Sequence, residues 1–175
     1  MAIGAADIGK GLETVWYQRE GLNKAFLDLW DSSVSADDFL VLHEDESAPG
    51  TPMPYCVYEI SQAIIVSRFS GGREEGFNHQ RYVLDYPVQF RVHAKTVSGD
   101  SRTAKEIASD LAAKIMEAYG GHPSVLSTDP PLDTGNFLIA IYERDYGLKT
   151  GDNEHQWNVD YFWRVDVPVR SIGES

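Results

Sequence analysis

A single cysteine, Cys56, stands in a chain of 175 residues, so no internal disulfide can form. It lies in the apolar run PYCVYEI, where a thiol reads as strand packing rather than as a reactive group. Long apolar runs are missing as well. Nothing approaches the roughly 20 residues of a membrane-crossing helix, and the first residues, MAIGAADIGKG, lack the basic stretch and apolar core of a secretory signal. These absences predict a soluble product made in a cytoplasm, with no membrane partner. Basic charge is in short supply: 15 Lys and Arg face 27 Asp and Glu, a formal charge of -12 that opposes general binding to phosphate backbones. Such charge solvates a polar face, and it also repels a nucleic acid that must pass nearby without sticking.

The residue sets that carry chemistry are absent from the sequence too. Five histidines, at positions 43, 79, 93, 122 and 155, are scattered without metal-ligand spacing. His43 in HEDE reads as part of a solvated acidic loop, His122 as a turn residue and His155 as an exposed residue before a strand. There is no phosphate-cradling glycine loop, no GxGxxG after a strand and no GxSxG elbow. Ser101 and Lys105 in SGDSRTAKE lead straight into an amphipathic helix, which makes helix capping the better account than a nucleophile and its base. Asp160 and Asp166 share a strand face but stand about 20 Å apart, too far for one carboxylate pair. No catalytic, cofactor-binding or metal residue is therefore expected.

What the chain does contain is two long alternating segments, 82–94 and 157–169. In the first, Tyr82, Leu84, Tyr86, Val88, Phe90, Val92 and Ala94 share one face, opposite Asp85, Gln89, Arg91, His93 and Lys95. In the second, Trp157, Val159, Tyr161, Trp163, Val165, Val167 and Val169 oppose Asn158, Asp160, Phe162, Arg164 and Asp166. A period of two over a dozen residues describes a sheet with one covered face and one polar face. Arg91, Arg164 and Lys95 can pair with Asp85, Asp160 or Asp166 across strands or across a subunit boundary. Phe162, a large aromatic on the polar face, is expected under a second helix or at an oligomer interface.

Shorter strands are predicted at 55–60, 63–69 and 137–142, with a minor one at 125–127. Pro87, inside a long strand, predicts a bulge or an edge position. Apolar spacing from Gly11 to Trp30 predicts one or two helices weakened at Gly21. The clearest helix is 102–119, with Ala104, Ile107, Ala108, Leu111, Ile115 and Ala118 on one face, Thr103 and Glu106 as a capping box, and Gly120–Gly121 as its stop. The expected fold is a single α+β domain over 1–175, core about 11–170, built on a mostly antiparallel mixed sheet with one face covered by helices. Flexible termini and long loops around 43–54, 70–79 and 143–156 complete it. The stretch SGGREEGFNHQ reads as a long hairpin arm, and ERDYGLKTGDNEHQ as a polar link that can form a hairpin with an extended tip.

In order, these pieces resemble the tail terminator and tail-completion proteins of long-tailed bacteriophages, including head-tail joining and minor tail proteins. The likeness runs from the N-terminal helix and acidic loop through PMPYCVYEI, YPVQFRVHAKT and SRTAKEIASDLAAKIMEAY to the aromatic-rich WNVDYFWRVDVPV, roughly residues 11 to 170. The resemblance implies a tail-terminator-like subunit, without catalysis, that assembles into a ring, commonly a hexamer, capping the tail tube and meeting the head connector. It implies self, tail-tube protein and head-connector protein as partners, DNA passing through the lumen without specific binding, and a place in the virion or a prophage after synthesis in the host bacterial cytoplasm. Pro54, Tyr55, Tyr58, Phe90, Val92, Tyr161 and Trp163 occupy the matching strand positions, and the candidate interface residues are Tyr55, Tyr58, Phe77, Arg91, Phe162 and Arg164. The chain departs from the pattern in its acidic segment 43–54 and its enlarged 143–156 connection, so terminator, connector and tube subunit stay open. Two other readings compete: a soluble α+β enzyme or small-ligand-binding protein with a site assembled from distant residues, and a host adaptor with the same fold.

Overall fold

The computed structural model describes residues 5–19, 21–45, 50–74, 77–120 and 137–170. Helix α1 (Ala5–Gln18) is followed by the short α2 (Leu22–Leu27), and the chain turns between them at Gly21, whose φ of 91° is open to glycine at little cost. Then come β1 (Leu42–Glu44), β2 (Tyr55–Ile60), β3 (Ile64–Glu74), β4 (Phe77–Lys95), α3 (Ala104–Tyr119), β5 (Phe137–Gly151) and β6 (Glu154–Arg170). The sheet runs β1-β2-β4-β6-β5, with β3 also on β4, and every pairing is antiparallel except β1 with β2. This is the expected α+β architecture with a mostly antiparallel mixed sheet.

The two alternating segments form the centre. Strands β4 and β6 pair without a register shift from His79↔Arg170 to Lys95↔Glu154. Their apolar faces coincide, so Tyr86, Val88, Phe90, Val92 and Ala94 lie beside Val159, Tyr161, Trp163 and Val165 in one buried layer. Helix α3 covers that layer with Ile107, Ala108, Leu111, Ala112, Ile115 and Tyr119. Its alanines let it approach closely, and burying each larger aliphatic side chain is worth about 1.5–3 kcal/mol. The capping box forms as predicted: the Thr103 hydroxyl accepts from the Glu106 amide at 3.2 Å, and the Glu106 carboxylate accepts from the Thr103 amide at 2.7 Å. Aromatic rings fill the middle, with Phe90 5.0 Å from Tyr119 and Tyr119 5.9 Å from Trp163. The Tyr119 hydroxyl donates to the Leu12 carbonyl at 2.6 Å, tying α3 to α1. Cys56 is fully buried in this core, and burial pushes its thiol far up, as a packing residue requires.

Four expectations change. Pro87 is neither at a bulge nor on an edge: it sits in the central strand, opposite Phe162. Its missing donor falls where β2 ends and β3 begins along the same side of β4, and the Pro87 carbonyl there accepts from the Ser61 amide at 2.9 Å. The segment 143–156 is no loop: its polar residues continue the β5–β6 ladder to Gly151↔Glu154 around a turn at 152–153, which makes the hairpin that its length allows. Most of 70–79 is likewise strand, paired as far as Glu74↔Phe77, which makes the expected hairpin arm. The first helix begins at Ala5, ahead of the predicted Gly11. The minor strand expected at 125–127 lies outside the described residues.

Candidate assembly surface

Helices α1, α2 and α3 all lie on the apolar face of the sheet, where α3 packs on β4 and β6 and α1 reaches β2 through Gly9 against Tyr58. The other face carries no helix among the described residues, so its side chains satisfy one another. Asp85 and Arg164 are direct cross-strand partners, with Nε and Nη2 of Arg164 donating to the carboxylate at 2.8 and 2.9 Å. That bidentate pair holds the Arg164 guanidinium above its ordinary pKa. Four residues along, Asp160 accepts from Gln89 at 2.8 Å and from Arg144 at 2.9 Å. Arg91 donates to Glu59 and to the Asp45 carbonyl, both at 3.2 Å. Asp85 and Asp160 are only 9% and 7% exposed, low enough for ordered partners to be required.

Between the Asp85–Arg164 pair and the Asp160 network runs an apolar row. Pro87 stands opposite Phe162, and Phe162 opposite Ile141, all three half-buried. The β2 end of the same face closes with rings: His43 meets Tyr55 edge-on at 5.8 Å, and Tyr55 stacks on His93 at 4.7 Å. Burial, with the nearby Arg91 charge second, pushes the His93 pKa down to about 4, so this imidazole is neutral through the physiological range. The result is a surface of fixed charge pairs around a hydrophobic stripe.

The sequence-derived interface residues divide accordingly. Arg91, Phe162 and Arg164 lie on this face, with both arginines paired inside the subunit. Tyr55 belongs to it but is buried by its stack with His93. Tyr58 is corrected: it points into the helix-covered core at 1% exposure, where its hydroxyl donates to Glu13 at 2.7 Å. Burial, and then that hydrogen bond, raise its pKa. Phe77 pairs with Glu74 at the tip of the β3–β4 hairpin, away from the others.

Sequence reasoning missed the margins of the sheet. Ile64, Ile65 and Val66 on β3 and Tyr142 and Leu148 on β5 are exposed large apolar residues on outer strands. The available signal was an apolar run, AIIV, without the alternation of a half-buried strand. Among the described residues no group of three or more His, Cys, Asp and Glu side chains could hold a metal ion, and no helix is long and apolar enough to cross a membrane. A cleft of about 550 Å³ lies between Leu29, Trp30, Val34, Met53 and Val97, with Asp31 and Lys95 among its polar lining.

Fold and surface together define a two-layer α+β protein whose second sheet face carries no helix among the described residues. No family model matches the chain, and no curated protein matches it.

Proposed function

We propose that this chain is a structural subunit of a bacteriophage tail or neck, forming a ring that caps the tail tube and joins it to the head connector. The observation that carries this reading is the open face itself: Asp85 is paired with Arg164, Asp160 with Arg144 and Gln89, and a hydrophobic stripe of Pro87, Phe162 and Ile141 runs between these two groups. Prearranged ion pairs around an apolar centre suit docking against protein, where apolar contact supplies binding energy and charge fixes register. The α+β sheet with helices on one face agrees with the subunit that the resemblance implies. Self, tail-tube protein and head-connector protein are the partners of this reading. The charge of -12 suits a lumen that lets DNA pass without holding it.

Negative-stain electron microscopy of the purified protein, with absolute mass measured at high and low concentration, tests it. Rings with a central channel support the reading; a strict monomer at every concentration counts against it. The cleft floored by Trp30 favours a second reading, a small-ligand-binding protein, because its volume lies within the range of ligand sites. A saturable shift of the Trp30 indole resonance in a small-molecule screen would move the weight there.

A further inference from the structure

The cleft of about 550 Å³ beside Trp30 combines an apolar floor with charged side chains. Trp30 is buried and its Nε1 donates to the Pro54 carbonyl at 2.8 Å, so the indole has no further hydrogen bond to offer and gives the cleft an apolar ring. Leu29, Val34 and Met53 continue that surface. Three charged side chains line the same space: Asp28, Asp31 and Lys95. Asp28 is already matched, because Nζ of Lys24 donates to both of its oxygens at 2.7 and 2.6 Å. Asp31 accepts from the Ser33 amide at 2.9 Å, and no cation pairs with it. The Ser33 amide first, then the Ser33 hydroxyl and more weakly the Lys95 charge hold its carboxyl below the usual carboxylate range. Lys95, exposed at the end of β4, feels that carboxylate without forming an ion pair to it. One anion and one cation thus stand close together and unmatched beside an apolar floor.

We propose that this cleft binds a small zwitterion with an apolar body, an aromatic or branched-chain α-amino acid, with its ammonium at Asp31, its carboxylate at Lys95 and its side chain against Trp30 and Met53. This rests on the small-ligand reading of the cleft, names the ligand's chemistry and is independent of ring assembly. The two charges select among ligand classes. A simple anion would meet Lys95 but also Asp31, and it would approach a chain of formal charge -12. A simple cation would meet Asp31 with Lys95 beside it. A zwitterion answers both groups and carries no net charge to be repelled. Apolar surface with a few placed polar groups is the ordinary make-up of a ligand site, in which the apolar part supplies affinity and the polar groups fix orientation. Charge-assisted hydrogen bonds to Asp31 and Lys95 would fix the two ends of the amino acid and leave its side chain over the indole.

Titration of the full chain, followed at the Trp30 indole N–H resonance, decides it. The probes are L-phenylalanine and L-leucine, with glycine, N-acetyl-phenylalanine and phenylalanine amide as controls that lack the apolar body, the ammonium and the carboxylate in turn. A saturable shift is expected with at least one of the two amino acids and none with glycine, and each blocked form is expected to bind about tenfold more weakly, as loss of one charge-assisted hydrogen bond requires. Asp31→Asn keeps an oxygen for the Ser33 amide, and Lys95→Met keeps an apolar stem. Both positions are exposed, so the circular dichroism of the fold is expected to be unchanged while each variant weakens L-phenylalanine binding by about tenfold. Asp31→Asn is expected to leave the affinity for N-acetyl-phenylalanine as it was, because that probe has no ammonium to lose. A blocked form that binds as tightly as the free amino acid overturns the zwitterion and leaves the cleft a ligand site, and so does unchanged affinity in both variants. No shift with either amino acid, while another compound of a small-molecule screen moves the Trp30 resonance, overturns the proposal and leaves the small-ligand reading standing. No shift with any compound overturns both.

Discussion

The two faces of the sheet are built from the same two strands and solve opposite problems. On the covered face, Phe90, Tyr161 and Trp163 meet α3 and are buried to 0%, 1% and 0% exposure. On the open face, residues one step along the same strands, Gln89, Asp160, Phe162 and Arg164, have no helix above them among the described residues and rely on one another. A covered face is held by area removed from water, which no single polar partner controls. An open face is held by geometry, since each charge there needs a specific neighbour and remains partly screened by solvent. Stability should therefore reside on one face and recognition on the other.

The largest expected effect lies on the covered face. Phe90→Ala removes a ring packed on Tyr119 and Tyr161 and leaves a cavity between the layers. A loss of about 3–5 kcal/mol in urea unfolding is expected; a loss below about 1 kcal/mol would mean that α3 does not hold the sheet. On the open face the largest effect belongs to the Asp85–Arg164 pair. Arg164→Ala leaves Asp85 nearly buried without its bidentate partner. With Arg164 about a third exposed, the cost is expected at about 1–2 kcal/mol. In a double-mutant cycle with Asp85→Ala, the two losses should be less than additive. Full additivity would break the claim that this face is held by specific pairs.

Phe162→Ala sharpens the contrast further. It sits one position from the fully buried Trp163 yet on the uncovered face, so stability should fall by about 1 kcal/mol or less. Association, read as mass against concentration, should fall by far more. A subunit that loses stability but assembles normally would show that the hydrophobic stripe belongs to the fold and not to recognition.

Much of this contrast was legible in the chain because alternation reports burial directly. The apolar residues of 82–94 and 157–169 described the covered face, and the 104–119 helix with its capping box could be read residue by residue. Position along the sheet was not legible. Pro87 reads as an edge residue because a lone strand cannot reveal that two different partners succeed each other beside it. The polar segment 143–156 reads as a loop because hydrophilic residues on an outer strand resemble those of a turn. Tyr58 reads as an interface residue because its partner, Glu13, lies 45 positions away. The exposed trio Ile64, Ile65 and Val66 was legible as strand, but its exposure depends on β3 being an outer strand.

The last expected effect concerns His93 on the open face, and it is read against pH rather than at one condition. Its imidazole is stacked on Tyr55, lies opposite Gln156 on β6 and shares its strand face with Arg91. Burial and that charge hold its pKa at about 4, against about 6.5 for an unfolded histidine. Between those values the unfolded chain binds a proton that the folded chain refuses, so stability is full above about pH 6.5 and declines as the pH falls towards 4. His93→Gln removes this slope while leaving the apolar face untouched. Unfolding midpoints of the two proteins should diverge at pH 7 and converge as the pH is lowered through this window. Parallel pH profiles would mean that His93 is protonated freely and that the Tyr55 stack does not exclude water.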